Sequence, residues 1–423
     1  MTNTMQKHAP LWRPLEEKGY RRLFAGQLLS DFGNWLDFIA LSALIVYAWG
    51  HGSMALAALS ICIGLPYVVV GPFMSVRTQR MPGKTIMIVC DLLRAGTAVG
   101  LAFAPSLPVL LALVLVKYSV SATFDPLRQG AVKRLVAPAT LAQASSLSQM
   151  AANLTKIVGP AAGGALLSGL GTTAPFFASA AMYALSAIML AAIPAWSGAA
   201  SEEKKEKASL RAAWRHMLGR PTLRGAILFA SSMFFLVFLY DGLFPLLTKE
   251  AGMDESRLGL LVGAVGAGSV VGALVAGQWS GWQRRPLAYM AGASLASGTL
   301  IVSVGLAAAE IIDVPLAVWL LAFAGLGFTG AQSAVPFGYV LQSETDEATV
   351  GPVSALAGAL QTSSMLVAPV IGAALAGWLG IGGVLIAIGA VTVVAAGGYR
   401  FVGAAAGRTS GKSAKAAAES ASS

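Results

Sequence analysis

Residues 145–171 read SSLSQMAANLTKIVGPAAGGALLSGLG, and residues 354–380 read SALAGALQTSSMLVAPVIGAALAGWLG. Laid side by side without a gap at an offset of 209, they share Ser145/Ser354, Leu147/Leu356, Val158/Val367, Pro160/Pro369, Gly163/Gly372, Ala165/Ala374, Leu166/Leu375, Leu170/Leu379 and Gly171/Gly380. Leucine and alanine matches are cheap in so apolar a chain. The Pro-x-x-Gly pair and the closing Leu-Gly are more informative, because proline and glycine constrain or free the backbone at fixed points. Pro126 and Pro336, just ahead of each copy, match at an offset of 210. A repeat on this scale predicts two related halves. The longest internal segment that is not apolar, residues 197–221, lies between them. It runs Glu202-Glu203-Lys204-Lys205-Glu206-Lys207 into a short basic amphipathic stretch at 210–218.

The halves are made of membrane-spanning helices. Of 423 residues, 56% are hydrophobic and 11% charged, against about 25% charged in a soluble domain. The mean hydropathy is +0.71. This excludes a disordered chain and a conventional soluble enzyme, and two cysteines, Cys62 and Cys90, exclude a disulfide framework. A span needs about 20 predominantly apolar residues. Twelve are predicted, at 22–48, 54–74, 85–104, 108–124, 142–168, 174–195, 222–248, 257–278, 287–308, 315–335, 352–378 and 382–402. The runs are long, rich in Ala, Leu and Gly, and lack the alternation of a barrel wall. The fold class is therefore an all-α membrane protein, twelve transmembrane helices in two six-helix pseudo-symmetric halves. Its expected organisation is a leader at 1–21, an N-terminal bundle at 22–195, a linker at 196–221, a C-terminal bundle at 222–402 and an unstructured tail at 403–423. The leader is charged and runs into a full-length span, unlike a secretory signal peptide.

Lysine and arginine set the orientation. Of 29, 24 fall on the side of the N-terminus, Arg94, Lys117 and Lys156 lie within spans, and Lys249 and Arg257 are left for the far side. An odd number of spans would have scrambled this bias. It places both termini in the cytoplasm of a cell whose inner membrane holds the protein as a multi-pass chain. It also accounts for the net charge of +10 with the lipid bilayer as partner and no nucleic acid.

The Gly159-Pro160-Ala161-Ala162-Gly163-Gly164 run in the fifth span is similar to the antiporter motif of the major facilitator superfamily, with Thr155 and Ser146 where the motif carries upstream glycines. Further similar stretches are Arg22-Leu23-Phe24-Ala25-Gly26-Gln27, Asp91-Leu92-Leu93-Arg94-Ala95 and Phe124-Asp125-Pro126-Leu127-Arg128-Gln129. Nearly the whole chain resembles that superfamily, within it the branch of drug, macrolide and siderophore exporters of bacteria. The loop after the second span departs from the family's Gly-x-x-x-Asp-Arg, reading Ser75-Val76-Arg77-Thr78-Gln79-Arg80. Arg80 and Lys84 keep the positive charge there, while the acid that anchors the family's gate is replaced.

Ionisable groups inside hydrocarbon cost roughly 2.5–3.5 kcal/mol each on insertion scales, so those present usually face a polar interior and act there. Asp37 sits near the middle of the first span with Asn34 one turn earlier on the same face. Lys156 sits near the middle of the fifth and Asp241 in the outer half of the seventh. The resemblance implies one aqueous cleft shared by Asp37, Lys156 and Asp241, where a carboxylate and an ammonium take up and release a proton in turn. Asp31 reads as a cytoplasmic-side gate or a hydrated acid. Asp91 and Arg94, three apart, read as a local pair supporting the inward gate, and Asp125 and Arg128 as gate or cap. Lys117 is expected to snorkel. Gly159 and Pro160 predict a bend, and Gly163 and Gly164 close packing. Trp35 and Phe38 flank Asp37 and suit an apolar substrate.

Gly325-Leu326-Gly327-Phe328-Thr329-Gly330 matches a dinucleotide fingerprint but follows no strand. Gly83-Lys84-Thr85 and Gly411-Lys412-Ser413 lack the earlier glycine of a P-loop. Three scattered histidines hold no metal. No cofactor and no enzyme activity are expected. The expected function is a secondary transporter exporting a small amphipathic molecule, drug-like or siderophore-like, in exchange for protons by alternating access, working as a monomer. The alternatives are a proton-coupled importer of a small metabolite and a non-transporting membrane sensor of the same fold.

Overall fold

In the computed structural model the described residues are 12–77, 82–137, 140–194, 210–279, 281–309, 314–345 and 347–420, and every long regular element among them is helical. The helices are α1 (Lys18–Ala43, continued by a π-helical turn Leu44–Ala48), α2 (Ser53–Arg77), α3 (Gly83–Ala102), α4 (Leu107–Leu135), α5 (Leu141–Leu170) and α6 (Ala174–Ala191). After the linker come α7 (Leu210–Gly219), α8 (Pro221–Tyr240), α9 (Phe244–Glu250), α10 (Glu255–Gln278), α11 (Pro286–Ala308), α12 (Leu316–Ser343) and α13 (Glu347–Ser420). Ten stretches among the described residues are long and apolar enough to cross a membrane. The expected twelve is not reached on that criterion for two reasons. α5 carries Gln143, Ser145, Ser146, Ser148, Gln149, Asn153 and Lys156 along its length, which dilutes its apolar content. The stretch Leu356–Tyr399 counts once, although Gly380 inside it has left-handed φ (69°, with ψ 169°) and breaks the helix.

That break explains the Leu-Gly coincidence of the repeat. Gly171, the matching residue, ends α5 with φ 85° and ψ 175°. Both copies therefore stop a long helix with an extended-ψ, positive-φ residue that glycine adopts at no steric cost. The other informative match, Gly163/Gly372, lies where each copy packs on a neighbour. A Cβ on Gly163 would stand 3.6 Å from the Leu36 Cα of α1, and one on Gly372 would collide with the Leu239 carbonyl of α8.

The chain divides into two compact units, Met1–Lys204 with Met253–Gly263, and Lys205–Gly252 with Ala264–Ser423. In the first, α1 packs on α5 and α6, α3 on α4 and α6, and α2 on α4. In the second, α13 packs on α8 and α11, and α12 on α11. Several elements differ from expectation. α4 runs to Leu135 rather than ending at 124, and α12 to Ser343 rather than 335. The extra turns of α4 carry Asp125, Arg128, Lys133 and Arg134, and those of α12 begin at Pro336 and end in Gln342 and Ser343, residues that a hydropathy reading assigns to a loop. The expected seventh span is interrupted after Tyr240 by a 3-10 turn, Asp241–Leu243. The helix of α13 continues to Ser420, through most of the tail expected to be unstructured. Alanine, the strongest helix former, recurs throughout that segment. The basic amphipathic stretch forms α7. Its Met217 is buried in a cluster with Leu223, Ile227, Val340 and Val353, while Trp214 and Leu218 stay exposed.

Candidate functional site: a buried charged core in the first unit

Four helices of the first unit bring polar residues to one interior. On α1, Asp31, Asn34 and Asp37 follow one another at three-residue steps. On α6, Ser179, Tyr183 and Ser186 repeat at four and three. On α4, Lys117, Ser121 and Arg128 stand at four and seven, and α3 adds Asp91 and Arg94. Each spacing returns a helix to the same face.

Asp37 is fully buried, and so is its ion-pair partner Lys117 of α4. Ser179 donates a hydrogen bond to Asp37 Oδ1. The Tyr183 hydroxyl lies 2.7 Å from Asn34 Oδ1 and 3.2 Å from Asp37 Oδ2. The Lys117 ammonium also lies over two aromatic faces, Tyr118 at 5.1 Å and Tyr183 at 5.4 Å. Two groups expected elsewhere are corrected here. Lys117 does not snorkel. It stands ten residues into α4, about 15 Å along the axis, too deep for its side chain to reach an interface. Asp37 is paired with Lys117 instead of Lys156, and it has no exposed surface.

The second cluster lies one to two turns away. Arg94 donates to Asp91 Oδ1 at 2.6 Å and to Ser30 Oγ at 3.0 Å. Ser186 donates to the other Asp91 oxygen at 2.6 Å. The guanidinium sits 4.0 Å from the Phe124 ring centre and 5.1 Å from that of Tyr183. Arg94 Nε has no hydrogen-bond acceptor among the described residues, and the aromatic faces beside the guanidinium are its remaining electrostatic partners. Tyr183 thus stands between two buried cations. In each pair one carboxylate meets one cation, so burial leaves no net charge behind, the condition under which buried ion pairs are tolerated.

The third cluster is partly open. Arg128 lies 3.2 Å from Asp31 and 3.4 Å from Asp125, with side-chain exposures of 19%, 18% and 35%. Gln27 donates to Asp31 at 3.4 Å and to the Ser148 carbonyl at 3.1 Å. Here two carboxylates share one guanidinium, leaving one negative charge in excess.

The remaining sequence candidates do not join these clusters. Lys156 is exposed on α5 and makes no ion pair among the described residues. Asp241 is exposed in the 3-10 turn after α8 and belongs to the second unit. Arg80 and Gln79 lie outside the described residues. Lys84 donates to the carbonyls of Ala191 at 2.8 Å and Ile193 at 2.5 Å, and Arg22 bonds that of Ala192, so two cations cap the end of α6. Gly159 presses on Trp35 of α1, and a Cβ on Gly164 would stand 2.7 Å from the Gly259 Cα. α5 is helical through Pro160. The residues missed from sequence were Ser179, Tyr183, Ser186 and Ser30. The signal for the three on α6 was a polar stripe at helical spacing in an otherwise apolar helix, and Ser30 of α1 lies one residue before Asp31.

The Major Facilitator Superfamily model matches residues 23–369. An uncharacterised MFS-type transporter, YfiS of Bacillus subtilis (strain 168), is 27% identical over 406 residues, covering 91% of this chain and 94% of its own. The enterobactin exporter EntS of Citrobacter koseri is 29% identical over 253 residues, 59% of this chain and 57% of its own. The putative bacilysin exporter BacE of Bacillus amyloliquefaciens is 25% identical over 295 residues, 69% and 74% of the two chains. Among solved structures, a bacterial homologue of the human lysosomal transporter Spinster, inward-facing and unoccupied, superposes with a TM-score of 0.71 at 15% identity, covering 91% of this chain and 97% of its own. With helices of this length, a duplicated Pro-x-x-Gly segment and a family match over most of its length, the chain belongs to the major facilitator superfamily of transporters.

Proposed function

We propose that the chain exports a small amphipathic compound in exchange for protons, by alternating access, from the cytoplasmic membrane with both termini inside. The observation that carries this reading is the Asp37–Lys117 pair, fully buried and held by Ser179 and Tyr183. A charge pair placed where charge is most costly is retained for what it does. A carboxyl that alternates between charged and neutral states, opposite a cation with aromatic faces to fall back on, suits proton exchange. The export direction is supported by similarity to the enterobactin and bacilysin exporters. The orientation rests on 24 of 29 basic residues falling on one side.

Lys156 and Asp241 take a different part. Each is exposed and without an ion-pair partner among the described residues, and an unpaired charge within a span must reach water. They serve as contacts along the water-filled substrate path. Asp31, Asp125 and Arg128 form a gate within the first unit, with one carboxylate more than its guanidinium neutralises. Asp91 and Arg94 hold α3 to α1 in both states. Proteoliposomes under an imposed pH gradient test the proposal, with enterobactin and ethidium as probes. The wild type should move probe against protons and Asp37→Asn should not. Movement of either probe that persists unchanged in Asp37→Asn, or after the gradient is collapsed, refutes proton exchange at this residue.

A further inference from the structure

The Tyr183 hydroxyl has one hydrogen and two acceptors. Asn34 Oδ1 lies at 2.7 Å and Asp37 Oδ2 at 3.2 Å. Both distances are within hydrogen-bond range, and one O–H donates fully to only one of them. Charged acceptors make the stronger bond, yet the shorter contact is to the neutral amide. The carboxylate is already served by Lys117 and by Ser179. The ring beneath the hydroxyl is fixed between two cations, Arg94 at 5.1 Å and Lys117 at 5.4 Å. The hydroxyl therefore has rotational freedom on a ring that has little.

We propose that Tyr183 reads the protonation state of Asp37. While Asp37 is charged, the hydroxyl hydrogen is shared between the carboxylate and Asn34. When a proton from water adds to Asp37, the new carboxyl hydrogen points to an acceptor, and the tyrosine oxygen at 3.2 Å is one. The tyrosine hydrogen then turns wholly to Asn34. No bond to the tyrosine hydrogen is broken, and the added proton stays on the carboxyl. The ammonium of Lys117 loses its counter-charge but keeps the faces of Tyr118 and Tyr183. Tyr183 is a positioning residue, acting through Asp37. The reading rests on the proposed proton exchange at Asp37 and adds the element that senses it. The other charged or titratable groups around the pair are Asp31 on α1, Tyr67 on α2, Asp91 and Arg94 on α3, and Tyr118, Asp125 and Arg128 on α4. None of them bonds the Tyr183 hydroxyl.

The two substitutions that remove one acceptor or the donor act in opposite directions. Tyr183→Phe keeps the ring against both cations and deletes a donor to the carboxylate, so the protonated-carboxyl band of Asp37 should be larger than in the wild type under the same conditions. Asn34→Leu leaves the hydroxyl with Asp37 as its remaining acceptor, so that band should be smaller than in the wild type. The double variant should behave like Tyr183→Phe alone, because Asn34 acts through a hydroxyl that is no longer there. The measurement is an infrared titration of the full chain in lipid nanodiscs, following the carboxyl band that Asp37→Asn removes. Opposite changes with a double variant matching Tyr183→Phe are the expected result. If the band exists but both single variants change it the same way or not at all, Tyr183 does not read Asp37 while proton uptake there stands. If Asp37→Asn removes no titrating band, Asp37 does not exchange protons and both readings fall.

Discussion

Deleting the ammonium opposite Asp37 separates a working ion pair from an accident of packing. Lys117→Met keeps the hydrocarbon stem and removes the charge. The carboxylate then keeps two donors, Ser179 Oγ and a Tyr183 hydroxyl shared with Asn34, and has no exposed surface in this conformation. Removing one partner of a buried pair costs about 3–5 kcal/mol, while replacing both by neutral groups of similar volume is close to neutral. Lys117→Met should therefore lose about 3–5 kcal/mol of stability, and Asp37→Asn should fall near the low end of that range. The smaller cost reflects the cation left behind, which keeps the faces of Tyr118 and Tyr183. The double variant should lose about 1 kcal/mol, giving an interaction energy of at least about 5 kcal/mol, well outside the additivity expected of independent sites. Urea unfolding of the four proteins in detergent micelles, with slopes compared to confirm one transition, supplies the cycle. Additive losses, or a Lys117→Met protein within about 1 kcal/mol of wild type, would refute the pairing.

Arg94→Lys retains the charge but not the fork that reaches Asp91 and Ser30 while lying on Phe124. It should cost about 2 kcal/mol in the same urea unfolding, more than Arg128→Lys, whose pair is part-exposed and worth about 1 kcal/mol or less. Gly159→Ala drives a methyl into Trp35 at its Cβ. The yield of monodisperse protein on size exclusion should fall, and Trp35→Ala should not restore it, because alanine keeps that atom. Lys84→Met frees two carbonyls at the end of α6 while Arg22 still holds the third. Hydrogen exchange at 188–193 should rise about five-fold, the loss of roughly 1 kcal/mol of local stability, with α1 unchanged.

The helices were legible because each apolar run is long enough to cross a bilayer and each is punctuated by glycine or proline. Hydropathy reads the bilayer, however, and a helix does not end where the hydrocarbon does. The last turns of α4 hold Asp125, Arg128, Lys133 and Arg134, which a hydropathy reading places in a loop. They remain helical because Arg128 reaches back to Asp31 and Asp125. The site was legible in its parts and misread in its pairing. Asp37, Asp91, Arg94, Asp31 and Arg128 stood out as charges in spans. Choosing Lys156 over Lys117 as the partner of Asp37 took depth as the guide, when rotation about the helix axis decides the contact. The stripe Lys117, Ser121, Phe124, Arg128 on α4 and the stripe Ser179, Tyr183, Ser186 on α6, whose members meet the charges of α1 and α3, carried the rotational information. It becomes readable once polar residues are projected on each helix rather than counted along it.

The duplication is exact enough in backbone to carry Gly171 and Gly380 into the same unusual conformation, yet the chemistry was not kept twice. Continuing the offset of 209 past Gly171 sets Ser179, Tyr183 and Ser186 against Ile388, Thr392 and Ala395. At the offset of 210 that relates Pro126 to Pro336, Lys117, Asp125 and Arg128 stand against Gly327, Val335 and Gly338. At one of these positions the second half spends the residue on close approach instead. A Cβ on Gly327 would collide with the Val265 carbonyl of α10. Its buried polar contacts are neutral, Tyr289 to Gln332 and Gln332 to the Gly272 carbonyl at 3.0 Å. Two bundles under the same folding constraints have thus divided the work. A second set of buried charges would have added its own desolvation cost, several kcal/mol per ion. Among the described residues the buried charges, Asp37, Asp91, Arg94 and Lys117, all lie in the first unit, and the second fills its interior with neutral contacts and close backbone packing.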